Sequence, residues 1–446
     1  MTRVKEILLI QQLIDSNRAR PAAADRDDVA PSDDFASGLR REYGTAPTSG
    51  RQQLRLGYLV PEFPGQTHAF FWREIVALRS LGVDVRLVST RRPPKDACRH
   101  AFAAEAHRET HYLLPFRVRH LAAALGSIGK VNPSVSYVAG LKETARLRRA
   151  ALLGLIPIAA ELKSWAQRNG VIHIHVHSCA TTAHLAAVCR LLGGPSYSLT
   201  LHGSLSVYGG DHASKMKHAT FVSTVTRPLQ AEVCACTGWS AERVPVVTMG
   251  IDASRYPARV PRELYGPLKI ATVGRLCPTK GHRYVLEAMA KLRQEGVSVH
   301  YTIAGSGPHR AAIERDVAEL GLSDAVKLVG SISEDAVAKL LSDSDAFVLA
   351  SIGRGEAAPV AVMEAMAAGL PVVCSRIGGT PDMIRDGVDG FLVEQRDVDS
   401  IANVLSELAK STERRAIVSS AARITSTRFD SRKIARQLLS AICDTP

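Results

Sequence analysis

The chain is predicted to be an α/β protein of two domains built on parallel sheets, and three observations carry that prediction. Its 446 residues exceed what one hydrophobic core ordinarily holds. Residues 344–373 read in succession as strand, loop, helix and strand. Two other apolar runs, 54–60 and 268–273, each lead into a Gly-containing loop and then a helical pattern. In such sheets ligands gather at the loops beyond the strand ends.

Taken in order, residues 1–51 are expected to be a disordered or partly helical extension. Residues 1–14 could form one amphipathic helix, and 15–51 are rich in Ala, Asp, Arg, Ser and Pro. Beyond the first strand, Gly65 sits where a βα loop meets a helix, a place for close backbone approach to a phosphate or sugar. Residues 83–89 supply the second strand. Residues 115–168 are basic and amphipathic, with Arg117, Lys130, Lys142, Arg148, Lys163 and Arg168 set among Leu, Ala, Val and Ile. A helix of this kind packs its apolar side on the domain or lies on an anionic membrane, and both readings stay open.

His173, His175 and His177 alternate along the strand 171–176 and share one face. They are expected to be buried and hydrogen-bonded rather than a metal centre, since no nearby carboxylate or cysteine completes a ligand set. The strand 196–201 ends at His202-Gly203, which places His202 at the cleft. Residues 221–225 and 243–248 are expected to close the first domain. The three prolines and weak periodicity of 253–267 mark a linker.

The second domain opens with the strand 268–273 and the loop from Gly274 to Gly281. Arg275 and Lys280 lie in that Gly-bounded loop and suit a diphosphate, Arg as a fork and Lys as a point charge. Strands follow at 300–304 and 326–329, with Ile332 in the turn beyond. After the strand 346–350, Pro359 stands at a helix start, and the N–H groups near Val360 and Ala361 form an anion site. Glu356 and Glu364 bracket that site, about 12 Å apart if all the residues between them were helical. That is too far for carboxylates flanking one bond. It suits the two hydroxyl-rich ends of an extended ligand of sugar, diphosphate and ribose. Residues 386–393 read as a hairpin-like return, and 398–408, 417–428 and 431–442 as helices.

Two patterns carry a family resemblance. Glu356-x7-Glu364 is followed by Ala-Met-Ala-Ala-Gly-Leu-Pro-Val-Val, and four residues separate Gly274-Arg275 from Lys280-Gly281. Together they resemble the retaining glycosyltransferases of family 4. Phe63, Pro64, Thr67, Phe70, Arg73 and Glu74 keep a spacing similar to that of the polysaccharide-assembly branch. One departure is visible: Ala357 and Ala358 stand where the family usually has Gly and a large residue. The resemblance implies a GT-B fold, two Rossmann-like doubly wound domains facing a cleft, with a C-terminal helix crossing back. The expected divisions are an acceptor domain 52–252, a linker 253–267, a nucleotide-sugar domain 268–428 and a crossing helix 429–446.

The resemblance also implies roles. Arg275, Lys280, Glu356 and His202 would serve transfer, with His202 touching the donor sugar. Gly65, Gly274, Ile332, Val360, Ala361 and Glu364 would hold the donor. The expected reaction moves a hexose from a nucleotide-diphosphate sugar, with retention, to a glycan or lipid-linked acceptor in cell-surface polysaccharide biosynthesis. No metal or other cofactor is expected beyond the nucleotide sugar as co-substrate. A nucleotide-sugar epimerase on the same fold and a non-catalytic sugar-nucleotide-binding scaffold stay open as alternatives.

Composition narrows the partners. The formal net charge of +13 suits an anionic substrate or an anionic membrane surface. No aromatic-plus-basic motif points to nucleic acid. The eight cysteines are scattered, and the one-residue gap between Cys234 and Cys236 is not a zinc spacing. With no apolar run of about 18 residues and no signal-cleavage pattern, the expected location is cytoplasmic, peripheral at the inner membrane face.

Overall fold

The computed structural model describes residues 53–94, 97–257, 263–353 and 356–444. The 1–51 extension, part of the 253–267 linker and two residues of the loop before Glu356 lie outside them.

Two six-stranded sheets, parallel throughout, form the frame. The first holds β1 (Arg55–Glu62), β2 (Asp84–Arg91), β3 (His111–Tyr112), β4 (His173–Val176), β5 (Ser196–Leu201) and β6 (Val222–Thr224) in the order β3-β2-β1-β4-β5-β6. The second holds β7 (Leu268–Val273), β8 (Val299–Ala304), β9 (Val326–Gly330), β10 (Ala346–Leu349), β11 (Val372–Ser375) and β12 (Phe391–Val393) in the order β12-β11-β10-β7-β8-β9. Each order reverses once, between β1 and β4 in the first sheet and between β7 and β10 in the second. The crevice beyond the strand ends at such a reversal is where ligands of doubly wound sheets bind. Both central pairs read as apolar runs because helices cover both faces of a parallel sheet.

Apolar residues gather in three clusters, two of which join the halves. One runs from the first sheet (Val176, Leu201) through Met249, Ile251 and Tyr256 into Val362, Met363 and Phe429 of the second half. A second lies within the second half. The third joins Tyr58, Phe71, Ile75 and Leu78 of the first half to Ile434, Leu438 and Ile442 of the helix Ser431–Asp444. That last helix therefore packs against the first domain, on the helix Ala69–Ser80.

Residues 243–248 follow a 3-10 turn at Ala241–Arg243 and meet β6 by a single bridge, Thr224 to Val246. Two local expectations are corrected. The return at 386–393 is no hairpin. The Asp386 carboxylate accepts from Leu392 N at 2.9 Å, and the chain then runs as β12 parallel to β11. The basic stretch 115–168 breaks into four short α-helices, Val118–Leu125, Val131–Ala139, Arg146–Leu153 and Leu155–Arg168. Among the described residues no helix is long and apolar enough to cross a membrane.

Candidate active site

A cavity of about 760 Å³ lies between the two sheets, at the ends of β1, β4, β7 and β10. Arg275, Lys280, Glu356, His202, Gly274, Ile332, Val360, Ala361 and Glu364 all line it. Gly65 does not. Its neighbours Gln66, Thr67 and His68 line the cavity instead, while Gly65 O accepts from His68 N at 3.0 Å to close the turn.

The loop after β7 is pressed against the end of β10. Gly281 adopts φ +64°, and a Cβ there would sit 1.8 Å from Ala350 O, so only glycine closes this turn. The approach carries Lys280 to Glu356, to which its Nζ donates. Ser351 Oγ donates to the same carboxylate oxygen at 2.9 Å. The Glu356 loop is held from behind by Gly378, at φ +54°, where a Cβ would lie 1.8 Å from Glu356 O. Gly379 N donates to Ala357 O at 2.6 Å. Pro359 is the cap of the helix Val360–Ala367, one residue earlier than the first helical position expected for it. Val362 N donates to Pro359 O at 3.0 Å, whereas the N–H groups of Val360 and Ala361 have no carbonyl partner among the described residues; both residues line the cavity with Lys280 and Arg275.

Glu364, 7% exposed, pairs with a residue of the opposite domain: Arg73 Nη2 lies 2.5 Å from its Oε1. Arg73 also donates to Glu334 at 2.7 and 2.9 Å. Burial alone would lower the Arg73 pKa, but Glu364 and Glu334 more than offset it and hold the guanidinium above its usual value. Gln66 Nε2 donates to Ile332 O at 3.1 Å, a second link across the cavity. Sequence reasoning gave Arg73 no role. The one available signal was the Arg-Glu pair that ends the Phe-Pro motif, and nothing local shows that its partner lies in the other domain.

The three histidines on and just after β4 are buried, as expected. His173 meets Ser196 and Ser198, and His175 meets Ser198 and Thr200, each at 2.8–2.9 Å. The expectation that no carboxylate is near them is corrected. Glu74 of the first helix reaches His177, with Oε1 3.2 Å from Nε2, although the ring N–H is not aligned for donation. Tyr58 donates to the same Glu74 oxygen at 2.8 Å. Glu74, His175 and His177 offer donor atoms within 4.8 Å of one another. Both His175 nitrogens are already engaged by hydroxyls, so the set does not fit an ion without breaking one of those bonds.

His177 Nδ1 lies 3.2 Å from His202 Nε2, which ties the cleft histidine to this buried cluster. Burial lowers both pKa values to about 3, so both rings are neutral. A neutral His202 can exchange a hydrogen bond without adding a charge to the cavity wall. Burial raises the Glu74 pKa, with His175 opposing.

Two doubly wound domains whose reversal points face one cavity, with two cations, a helix start and two spaced carboxylates on its walls, make up a GT-B fold. Residues 259–425 match the family model described as "Glycosyl transferases group 1". The amylovoran biosynthesis glycosyltransferase AmsK of Erwinia amylovora is 28% identical over 381 residues, covering 80% of this chain and 91% of that protein. The putative colanic acid biosynthesis glycosyltransferase WcaL of Escherichia coli (strain K12) is 25% identical over 380 residues, with the same coverage. Among solved structures, Anabaena Alr3699/HepE in complex with UDP-glucose shares the fold, with a TM-score of 0.67 and 18% identity over 88% of this chain and 100% of that one. Residues 259–425, most of the second domain, are thus similar to the group 1 glycosyltransferases.

Proposed function

We propose that the chain moves a hexose from a nucleoside-diphosphate sugar to a glycan or lipid-linked acceptor during assembly of a cell-surface polysaccharide, with retention at the anomeric carbon. The observation that carries this reading is the meeting of Arg275, Lys280, Glu356, the Val360 and Ala361 N–H groups and Glu364 on one cavity. The names of the two relatives, from amylovoran and colanic acid synthesis, support the polysaccharide setting.

The cavity suggests the following division of work. Arg275, Lys280 and the helix start neutralise the diphosphate as the glycosidic bond breaks, a charge that grows toward the transition state. Glu356 holds sugar hydroxyls once Lys280 turns to phosphate, and His202 meets the sugar from the opposite wall. Glu364 holds the ribose hydroxyls. The acceptor hydroxyl attacks on the side the diphosphate leaves, and the leaving phosphate takes its proton. Fixed cations supply the positive charge, so the reaction is metal-independent in this reading.

The acceptor is proposed to be met at an anionic membrane face, with the protein peripheral on its cytoplasmic side. Phe116, Val118, Leu121, Leu125 and Ile128 are 50–80% exposed. They stand beside the exposed cations Arg117 and Lys130. That combination suits insertion into a charged interface.

A thermal-shift screen across UDP-, GDP- and ADP-sugars, followed by product analysis with and without acceptor in the presence of a chelator, tests the reading. Transfer with retention that persists in chelator is expected. Appearance of an epimerised sugar from donor alone would instead show an isomerase, and binding without transfer to any acceptor a scaffold.

A further inference from the structure

Arg73 is anchored in the first domain, but among the described residues its side-chain hydrogen bonds all go to the second. Its side chain is 8% exposed, and its fork spans Glu364 Oε1 at 2.5 Å and Glu334 Oε1 at 2.7 and 2.9 Å. Arg255 Nη1 stands 3.4 Å from the other oxygen of Glu334 and holds that carboxylate in turn. A guanidinium taken out of water needs such partners, and a fork onto carboxylate fixes the partner's orientation as well as its charge. Glu364 has Oε1 committed in this way. Its Oε2 has no hydrogen-bond partner among the described residues, and Glu364 lines the cavity.

The neighbouring contacts follow the same pattern. Gln66 donates to Ile332 O at 3.1 Å, and Arg99 Nη1 lies 3.4 Å from Ser331 O. The turn beyond β9, where Ile332 is expected to hold the donor, is thus met by first-domain side chains. At the other end of the cavity Lys280 pairs with Glu356 within the second domain.

We propose that Arg73 is the positioning residue for nucleoside recognition: gripping Glu364 Oε1 from the opposite domain, it presents Oε2 to the ribose hydroxyls and makes ribose recognition depend on the closed arrangement of the two domains. The proposal rests on the assignment of Glu364 to the ribose made above.

Calorimetric titration of the full chain tests this. The ligands are UDP, GDP and ADP, the 2′- and 3′-deoxy forms of whichever binds, and inorganic diphosphate. The wild type is expected to prefer the ribose form. Arg73→Met should lower that preference about tenfold, the scale of one charge-assisted hydrogen bond, while affinity for inorganic diphosphate stays put. Arg73→Lys keeps the charge, preserves folding if the Met variant does not fold, and should restore part of the preference. In a Glu364→Gln background Arg73→Met should add nothing. A wild type that does not distinguish ribose from deoxyribose defeats the ribose assignment and the proposal with it. A discriminating wild type with unchanged discrimination in both Arg73 variants, or equal loss of diphosphate affinity, overturns the proposal alone.

Discussion

Lys280, in the loop after β7, donates to the Glu356 carboxylate in the loop after β10, and Ser351 shares that carboxylate. Each of the two side chains assigned to opposite parts of the donor therefore neutralises the other. A nucleoside-diphosphate sugar would exchange this one pair for two contacts, cation to phosphate and carboxylate to hydroxyl. Lys280→Ala should lower turnover by about 10²- to 10³-fold, the range for losing one preorganised charge-stabilising group. The thermal midpoint should hardly move, because a partly exposed pair contributes little to stability. Steady-state transfer rates alongside melting curves check both halves.

Gly378 offers a controlled comparison. Its φ is +54° and a Cβ would lie 1.8 Å from Glu356 O, whereas Gly296 has φ +75° and nothing within 4 Å. Alanine at either position meets the same left-handed strain, about 1 kcal/mol. Only Gly378→Ala also displaces the Glu356 loop. It should therefore lose most of its transfer activity, while Gly296→Ala keeps it at the cost of that strain alone.

Stability should fall in mild acid. His177 and His202 have folded pKa values of about 3, and His184 and His282 of about 4, each lowered chiefly by burial from an ordinary 6.5. The unfolded chain takes up protons that the folded chain refuses. The contribution is therefore complete above about pH 6.5 and is lost as pH falls toward 4 and then 3, by at most about 1.4 kcal/mol per unit for each ring. Melting temperatures taken across this window should drop steadily. His184→Gln, remote from the cleft, should shallow the slope.

The exposed apolar strip should bind membranes. Full-length protein is expected to sediment with vesicles containing anionic lipid, less so in high salt, and not with neutral vesicles. Leu121→Asp combined with Leu125→Asp should abolish sedimentation and leave nucleoside-diphosphate binding intact. Equal binding to neutral and anionic vesicles would remove the charge from the argument.

Much of the second domain was legible because its signals are local. The bounds of β7 coincide with an apolar run and a Gly loop, and the cations and carboxylates of the cavity sit at fixed offsets from those landmarks. The segment 243–248 has an apolar run too, but among the described residues a single bridge pairs it, and strand pairing is a tertiary fact. Distance in the chain hid the rest. Arg73 and Glu364 are 291 residues apart. Glu74 reaches the histidines of β4 only because the first helix folds back over the sheet. No periodicity or turn signal encodes such meetings.

The helix Ser431–Asp444 has a consequence for biogenesis. Ile434, Leu438 and Ile442 complete an apolar cluster whose other members, Phe71, Ile75 and Leu78, emerge from the ribosome more than three hundred residues earlier. The amino-terminal half must wait with that surface uncovered until translation has almost finished. A prematurely terminated product keeps a greasy flank on display, a mark that chaperones and proteases can read.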